Sequence, residues 1–309
     1  MKTEIRMIVT CRAPLAHGSF GGDTGNATGF RRMSVVGADG MPSVPVVSGN
    51  AFRGAMRRVV MRTLLDGAKL TRESVTESHG PAVWDRLYAA VVNGGHLESS
   101  ETRVSPDEIR ELRRALPPLS LFGSALYSWL LPGHMDVGIL WPRCRETSEG
   151  RLTTTYSDVM AEDLVEEVSY VRHIEREEQD PDVSGVTPMP TTIEVLKTGT
   201  VLESIVSFAA HASPAERGAW IHGAMTLGKL GGKGSSGHGR VDVEIQGAAQ
   251  EDIDAYGTWM QTDAPRVGLL ALIDRISTSS AKAAKAAKAA AKAEEKKAAK
   301  KAKAEAPTP

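Results

Sequence analysis

Cysteine is scarce in this 309-residue chain: Cys11 and Cys144 stand far apart, and no C-x-x-C occurs. That excludes a disulfide framework and a structural zinc site, and both thiols are expected to be buried. The 8 histidines form no H-E-x-x-H or other tight ligand spacing, so no bound metal and no cofactor is expected. Long apolar runs are missing too. None approaches the ~18 residues of a membrane span and no signal peptide opens the chain, which points to a cytoplasmic protein with no membrane partner. Net charge is also small. The formal value of −1 conceals an asymmetry, because the segment from Thr278 holds nine lysines against three glutamates and leaves the rest of the chain at −7. A body of that sign does not coat nucleic acid over its whole surface, though it leaves room for one basic groove. The length allows one large domain or two smaller ones.

Glycine, by contrast, is concentrated where the chain is least generic. GGKGSSGHGR, Gly231 to Arg240, carries five glycines that let the backbone press close to a ligand, and keeps Lys233, Ser235, Ser236, His238 and Arg240 to bind it. Successive N–H groups with cationic and hydroxyl donors suit phosphate oxygens. Gly232, Gly234 and Gly237 also fit G-x-G-x-x-G, but the dinucleotide fingerprint needs a strand before the glycines and a helix after them. Here the order is reversed. Upstream, Ser213, Pro214 and Glu216 form a capping-box start, and Trp220, Gly223, Ala224, Leu227 and Leu230 recur at helical spacing. Downstream, Val241, Val243 and Ile245 alternate with Asp242 and Glu244 as in a half-buried strand. A Walker loop fails as well, since Lys233 is followed by Gly234. A plain connector between helix and strand is the other reading of this loop.

From the N-terminus, Ile5, Met7, Val9 and Cys11 alternate with polar residues and predict a first strand over residues 3 to 12. Ala13 to Gly29 lacks periodicity and reads as a long flexible loop. Asp39 and Gly40 predict the turn of a hairpin that ends at Val46 and Val47. Ser48 is then a candidate N-cap for a helix whose apolar side is Phe52, Met56, Val59, Val60 and Leu64. Arg53, Arg57, Arg58 and Arg62 follow at spacings that predict a shared exposed side, with no carboxylate until Asp66. Near a helix start such a face attracts anions; it is equally the composition of a solvated arginine surface.

Further elements are predicted as helices over 81 to 93 and 107 to 116, and as strands through Met135 to Trp141 and Thr200 to Ala209. Tyr170 to Gly185 is charged without a core stripe and reads as an exposed insertion. Beyond Ile276 the lysine- and alanine-rich stretch has helix propensity but no apolar face, so it is expected to be either a solubilising tail or a salt-sensitive contact with nucleic acid.

VPVVSGNAFRG, Val44 to Gly54, is similar to the P-x-I-P-G-S-S-L-K-G-type segment of CRISPR-associated proteins of the RAMP superfamily, above all the backbone subunits of RNA-guided effector complexes. LSLFGSA, Leu119 to Ala125, resembles their short Phe-Gly segment, and GKLGGKGSSGHGRVDV, Gly228 to Val243, their C-terminal glycine-rich loop. Within the family, GGDTGNATGFRR and the short overall plan look most like the type IV backbone subunit, with type III close. The resemblance implies an α+β fold: a modified ferredoxin-like, RRM-related palm over residues 1–275 with inserted helices and a thumb-like β-hairpin at about 170–196, followed by a basic tail over 276–309. It also implies a non-catalytic role, in which copies of the chain stack head to tail along a CRISPR guide RNA and present it for pairing with target nucleic acid, beside other effector subunits. Ser48, Asn50, Arg53 and Arg57 match the guide-holding segment and Lys233, Ser235, His238 and Arg240 the glycine loop; Arg58 and Ser236 are expected to bind RNA beside them, and Arg31 and Arg32 are placed to reach the same groove. Two departures stand out: Val47-Ser48-Gly49-Asn50 lacks the usual glycine before two serines, and Arg53 replaces a lysine.

Two nuclease readings stay open beside this one. A guide-precursor endoribonuclease of the same superfamily would use a loop histidine, here His17, as general base. A type III-like subunit that cuts target RNA would use a loop aspartate, yet Asp23 lies too far upstream to match cleanly, and Asp39 is more simply a turn residue. A domain that does not bind nucleic acid at all is the third alternative.

Overall fold

Alternation of apolar and polar side chains sets the first strand. In the computed structural model, which describes residues 3–18, 27–37, 40–97, 105–127, 129–170 and 190–278, Thr3–Cys11 is a strand with Ile5, Met7, Val9 and Cys11 buried. It lies inside an antiparallel sheet in the order Val241–Gln246, Thr3–Cys11, Val201–Phe208, Met135–Val137, with Trp141–Pro142 also paired to Val201–Phe208. The strand expected through Met135 to Trp141 is therefore split. Leu140 leaves the sheet to exchange backbone hydrogen bonds with Val47, at 2.9 and 3.3 Å, which breaks the run.

The chain divides into two compact units, the first made of Met1–Val60 with Met135–Asp254 and the second of Met61–His134 with Ala255–Pro309. The sheet belongs to the first. Helix Pro214–Thr226 starts on the expected capping box: Ser213 Oγ accepts the Glu216 N–H at 3.3 Å and the Glu216 carboxylate accepts the Ser213 N–H at 2.6 Å. It packs against the start of the long helix Gly49–Gly67, where the Phe52 and Trp220 rings meet edge to face at 5.7 Å. Gly223 sets the closeness, since a Cβ there would lie 2.5 Å from Val60 Cγ2. Phe52, Met56, Val60, Met7, Phe208 and Trp220 are all fully buried, each of the large side chains contributing about 1.5–3 kcal/mol by leaving water. Cys11 and Cys144 are buried as expected, and burial pushes the Cys11 thiol up to about 12.

Two smaller sheets complete this unit. Arg32–Ser34 pairs antiparallel with Ser43–Pro45, as a hairpin requires; Val35, Val44 and Val46 pack with Cys144 and Ala161, while the proposed turn residue Asp39 lies outside the described residues. Val165–Tyr170 pairs antiparallel with Thr191–Leu196, and Ala27–Thr28 adds a parallel third strand. This pair forms the base of the stretch expected to be thumb-like, whose residues 171–189 fall outside the description, as do Asp23 and the tail from residue 279.

The second unit is mainly helical. It holds Arg72–His79, Pro81–Tyr88, a π-helical turn at Ala89–Asn93, Pro106–Ala115 with its Ser105/Glu108 capping box, Pro117–Phe122 and a helix over 264–278, with a small sheet of Gly95–Leu97, Ser124–Tyr127 and Trp129–Leu131. The Phe-Gly segment is part of this packing: Leu119, Leu121 and Phe122 are buried and Gly123 turns the chain at φ 67°. Among the described residues no helix is long and apolar enough to cross a membrane.

Candidate nucleic-acid interface

The long helix begins as the sequence predicts. Ser48 Oγ accepts the Ala51 N–H at 3.3 Å and the Ser48 carbonyl accepts the Phe52 N–H at 3.1 Å, so Ser48 is a capping residue. Gly49 follows because nothing larger fits: a Cβ there would overlap the carbonyl oxygen of Val137. With no acidic residue in its first turn, this helix end keeps its positive partial charge. The Ser48 N–H donates to Nε2 of His17 at 3.3 Å, which requires an imidazole with a lone pair on Nε2. Burial, then the nearby charge of Arg31, holds His17 below the ordinary histidine range.

Residues 13 to 18 are better anchored than the expected free loop. Leu15 bridges Leu196, Ala16 bridges Gly232 and Gly18 bridges Phe30. The glycine loop is fastened to the same segment, since the Gly232 N–H donates to the Ala16 carbonyl at 2.8 Å and the Gly239 N–H to the Pro14 carbonyl at 2.8 Å. Gly231 is required at this crossing: its φ is 81° and a Cβ would overlap the Ala16 carbonyl oxygen. Lys233 also takes a left-handed conformation, at φ 56°, before the short turn Gly234–Ser236. Helix, loop and strand come in the order read from the sequence, so the loop does not lead into a helix N-terminus.

These pieces enclose a cleft of about 490 Å³. Ala16, His17 and Gly18 form one wall, Asn50, Ala51, Gly54 and Arg58 the helix wall, and Gly231, Gly232 and Lys233 the glycine-loop wall; Thr28, Thr191, Ile193 and Glu194 close it. Segments distant in sequence thus present a helix N-terminus, Arg58 and Lys233 to one space.

Of the residues named from the sequence, Asn50, Arg58 and Lys233 line this cleft directly. Ser48 shapes it as the helix cap. Ser235, Ser236 and Arg240 are exposed on the glycine loop outside the lining. The shared arginine face needs correction: Arg58 and Arg62 are exposed, Arg53 is half-buried and Arg57 is buried at 8%. The cause is helical geometry, because Arg57 follows the buried Met56 and lies one turn from the half-buried Arg53. Burial and then the neighbouring Arg53 lower Arg57 to about 10, still charged at neutral pH. Arg31 acts on His17 through its charge, whereas Arg32 is held by Glu194 at 2.5 Å. His238 is buried, and its Nε2 meets the hydroxyl of Tyr170, tying the glycine loop to the hairpin strand; Lys233 Nζ stands 5.9 Å from the centre of the same ring.

Sequence reasoning did not single out Glu194, Thr28 or Thr191. Glu194 is deducible only in part: Ile193 and Val195 are buried on either side of it, so a strand must point it to the opposite face. No group of three or more histidine, cysteine or acidic side chains among the described residues is arranged to hold a metal ion.

No family model and no curated protein matches the chain. Among solved structures, a chain of one described as "Type IV-B CRISPR Complex" superposes with a TM-score of 0.52 at 18% identity, covering 80% of this chain and 91% of that one. Another, "Crystal structure of Thermofilum pendens Csc2", gives a TM-score of 0.39 at 17% identity over 89% of this chain and 76% of that one. The α+β fold with antiparallel sheets is thus one found in a chain of a CRISPR complex.

Proposed function

We propose that this chain is a non-catalytic RNA-binding backbone subunit of the RAMP superfamily, serving a type IV-like RNA-guided effector complex. The observation that carries the reading is the cleft, where the segment resembling the family's guide-holding motif and the one resembling its glycine loop converge on a helix N-terminus with Arg58 and Lys233. Backbone N–H groups, a helix end and two cations bind phosphate without regard to base, as a holder of any guide must. The shared fold with a chain of a type IV-B CRISPR complex supports the same assignment. So does the strand order: with the shorter elements between them set aside as insertions, a strand, a helix, two strands, a helix and a strand follow one another with the last strand beside the first, the order expected of a ferredoxin-like palm.

The sheet itself is not the RNA surface in this reading. On its face away from the helices, the strands Thr3–Cys11, Val201–Phe208 and Val241–Gln246 carry Glu4, Arg6, Ile8, Thr10, Glu203, Ile205, Asp242 and Glu244. The aromatic beside them, Trp141 opposite Glu203, packs against the cluster of Val35, Val44 and Cys144 and is not a platform of the kind on which RRM sheets stack bases. Guide RNA occupies the cleft, further copies of the chain continue along it head to tail, and target nucleic acid and the other effector subunits complete the particle.

The test is binding of a mixed-sequence single-stranded RNA over a range of salt. Arg58→Ala with Lys233→Ala is expected to weaken binding and to flatten the dependence of log K on log salt by about 1.4, at ~0.7 per lost phosphate contact. An unchanged slope would sink the assignment of the cleft.

The presence of His17 in the cleft favours one second reading, the guide-processing endoribonuclease. Its Nε2 lone pair is taken by the Ser48 N–H, so that nitrogen is not available to remove a proton from a ribose hydroxyl. The non-catalytic subunit fits this geometry better.

A further inference from the structure

Glu194 is an odd member of a phosphate-binding cleft. Among the described lining residues it is the one carboxylate, beside Asn50, Arg58 and Lys233, and it repels the phosphate oxygens that those groups attract. Its side chain is nevertheless fixed from two directions. Oε2 accepts the Phe30 N–H at 2.7 Å and Oε1 accepts the Arg32 guanidinium at 2.5 Å, with 23% of the side chain left exposed.

Two contacts use about half of what a carboxylate can accept, because its oxygens offer roughly four lone-pair sites. Arg32 offsets the charge while leaving those sites in place. A group so arranged suits a hydroxyl donor. Base amino groups donate too, but a contact that serves every sequence has to fall on the sugar, where the 2′-hydroxyl is the donor that RNA has and DNA lacks.

Resting on the RNA-binding reading of the cleft, we propose that Glu194 accepts a hydrogen bond from a ribose 2′-hydroxyl and so makes the cleft select RNA over DNA. Arg32, in this arrangement, offsets the charge of the carboxylate and is not itself a phosphate contact, while the Phe30 N–H holds the carboxylate in place.

The experiment compares the full chain with Glu194→Ala, Glu194→Gln and Arg32→Ala in binding a single-stranded RNA and a DNA of the same sequence, with deoxyuridine in place of thymidine so that the polymers differ at the sugar alone. The unaltered chain is expected to prefer RNA by about tenfold or more, the worth of one hydrogen bond to a charged group. Glu194→Ala is expected to abolish the preference by weakening RNA binding, and Arg32→Ala to keep it. Both variants break the brace between Arg32 and Glu194, and Glu194→Ala also frees the Phe30 N–H; that loss is common to the two polymers, so the ratio of RNA to DNA binding isolates the contact to ribose. Should Glu194→Ala not fold, Glu194→Gln, which keeps the volume and one oxygen, is expected to lower the preference severalfold. Equal binding of the two polymers by the unaltered chain, a preference that survives loss of the carboxylate, or an equal loss in Arg32→Ala would each overturn the inference and leave the cleft reading standing. Binding of neither polymer would overturn the cleft reading and this inference together.

Discussion

His17 joins two segments of the cleft through one bond, from the Ser48 N–H to its Nε2. Protonation removes that acceptor and places a charge near Arg31, which is why burial and that arginine lower the folded-state pKa from the ordinary 6.5. The sign follows from proton counting. Below pH 6.5 the unfolded chain takes up a proton that the folded chain resists, so the stability is fully present above that value and is lost as pH falls from there through the lower folded value. The thermal midpoint is expected to drop between pH 7.5 and 5.5, and less steeply in His17→Gln, whose amide oxygen can still accept the Ser48 N–H. His222, also lowered by burial, acts in the same direction and stays constant in this comparison. A slope unchanged by the substitution would show that the bond does not hold the folded imidazole neutral. At this scale the sequence was a partial guide: residue type and spacing found Asn50, Arg58 and Lys233, but spacing along a helix says which arginines share a side and not which side meets water. That is how Arg57 came out buried.

Elements were legible where their signals are local. The reciprocal bonds at Ser213/Glu216, and the alternation in Thr3–Cys11 and Val241–Gln246, depend on residues a few positions apart, and the structure has them where they were expected. The break between Met135–Val137 and Trp141–Pro142 depends on Val47, almost a hundred positions away by sequence, and no local pattern carries it. Gly49 belongs with the long-range cases, since only the packed structure shows the helix start pressed on Val137. Alanine at an open helix position would stabilise by up to about 1 kcal/mol over glycine. Here Gly49→Ala is expected instead to destabilise by roughly 1–3 kcal/mol in denaturant unfolding, because the helix start must move off the strand, and to weaken RNA binding with it. A gain in stability would show that the close approach is absent.

For the whole molecule, composition separated the basic tail from the acidic remainder but did not mark the division into two interleaved units, two of whose three borders, Val60/Met61 and Asp254/Ala255, fall inside helices. No change in residue type accompanies such a border. Truncation after Thr278 removes nine lysines and three glutamates. It is expected to leave the thermal midpoint in place and make RNA binding less salt-dependent, while the further effect of Arg58→Ala with Lys233→Ala persists. If truncation instead erased that further effect, the tail and the cleft would be one site.

In the first unit the charges on the sheet face offset one another, Glu4 and Glu244 standing with Arg6, and Asp242 paired with Arg12 at 2.5 Å, whereas the cleft shows Arg58 and Lys233. In the RNA-binding reading, a polyanion arriving by diffusion is drawn to the cleft before any contact forms, and the offset charges of the sheet do not compete for it. The pairing of charges on the sheet thus leaves the cleft without a rival patch, and so contributes to how fast the proposed encounter occurs without any contact of its own.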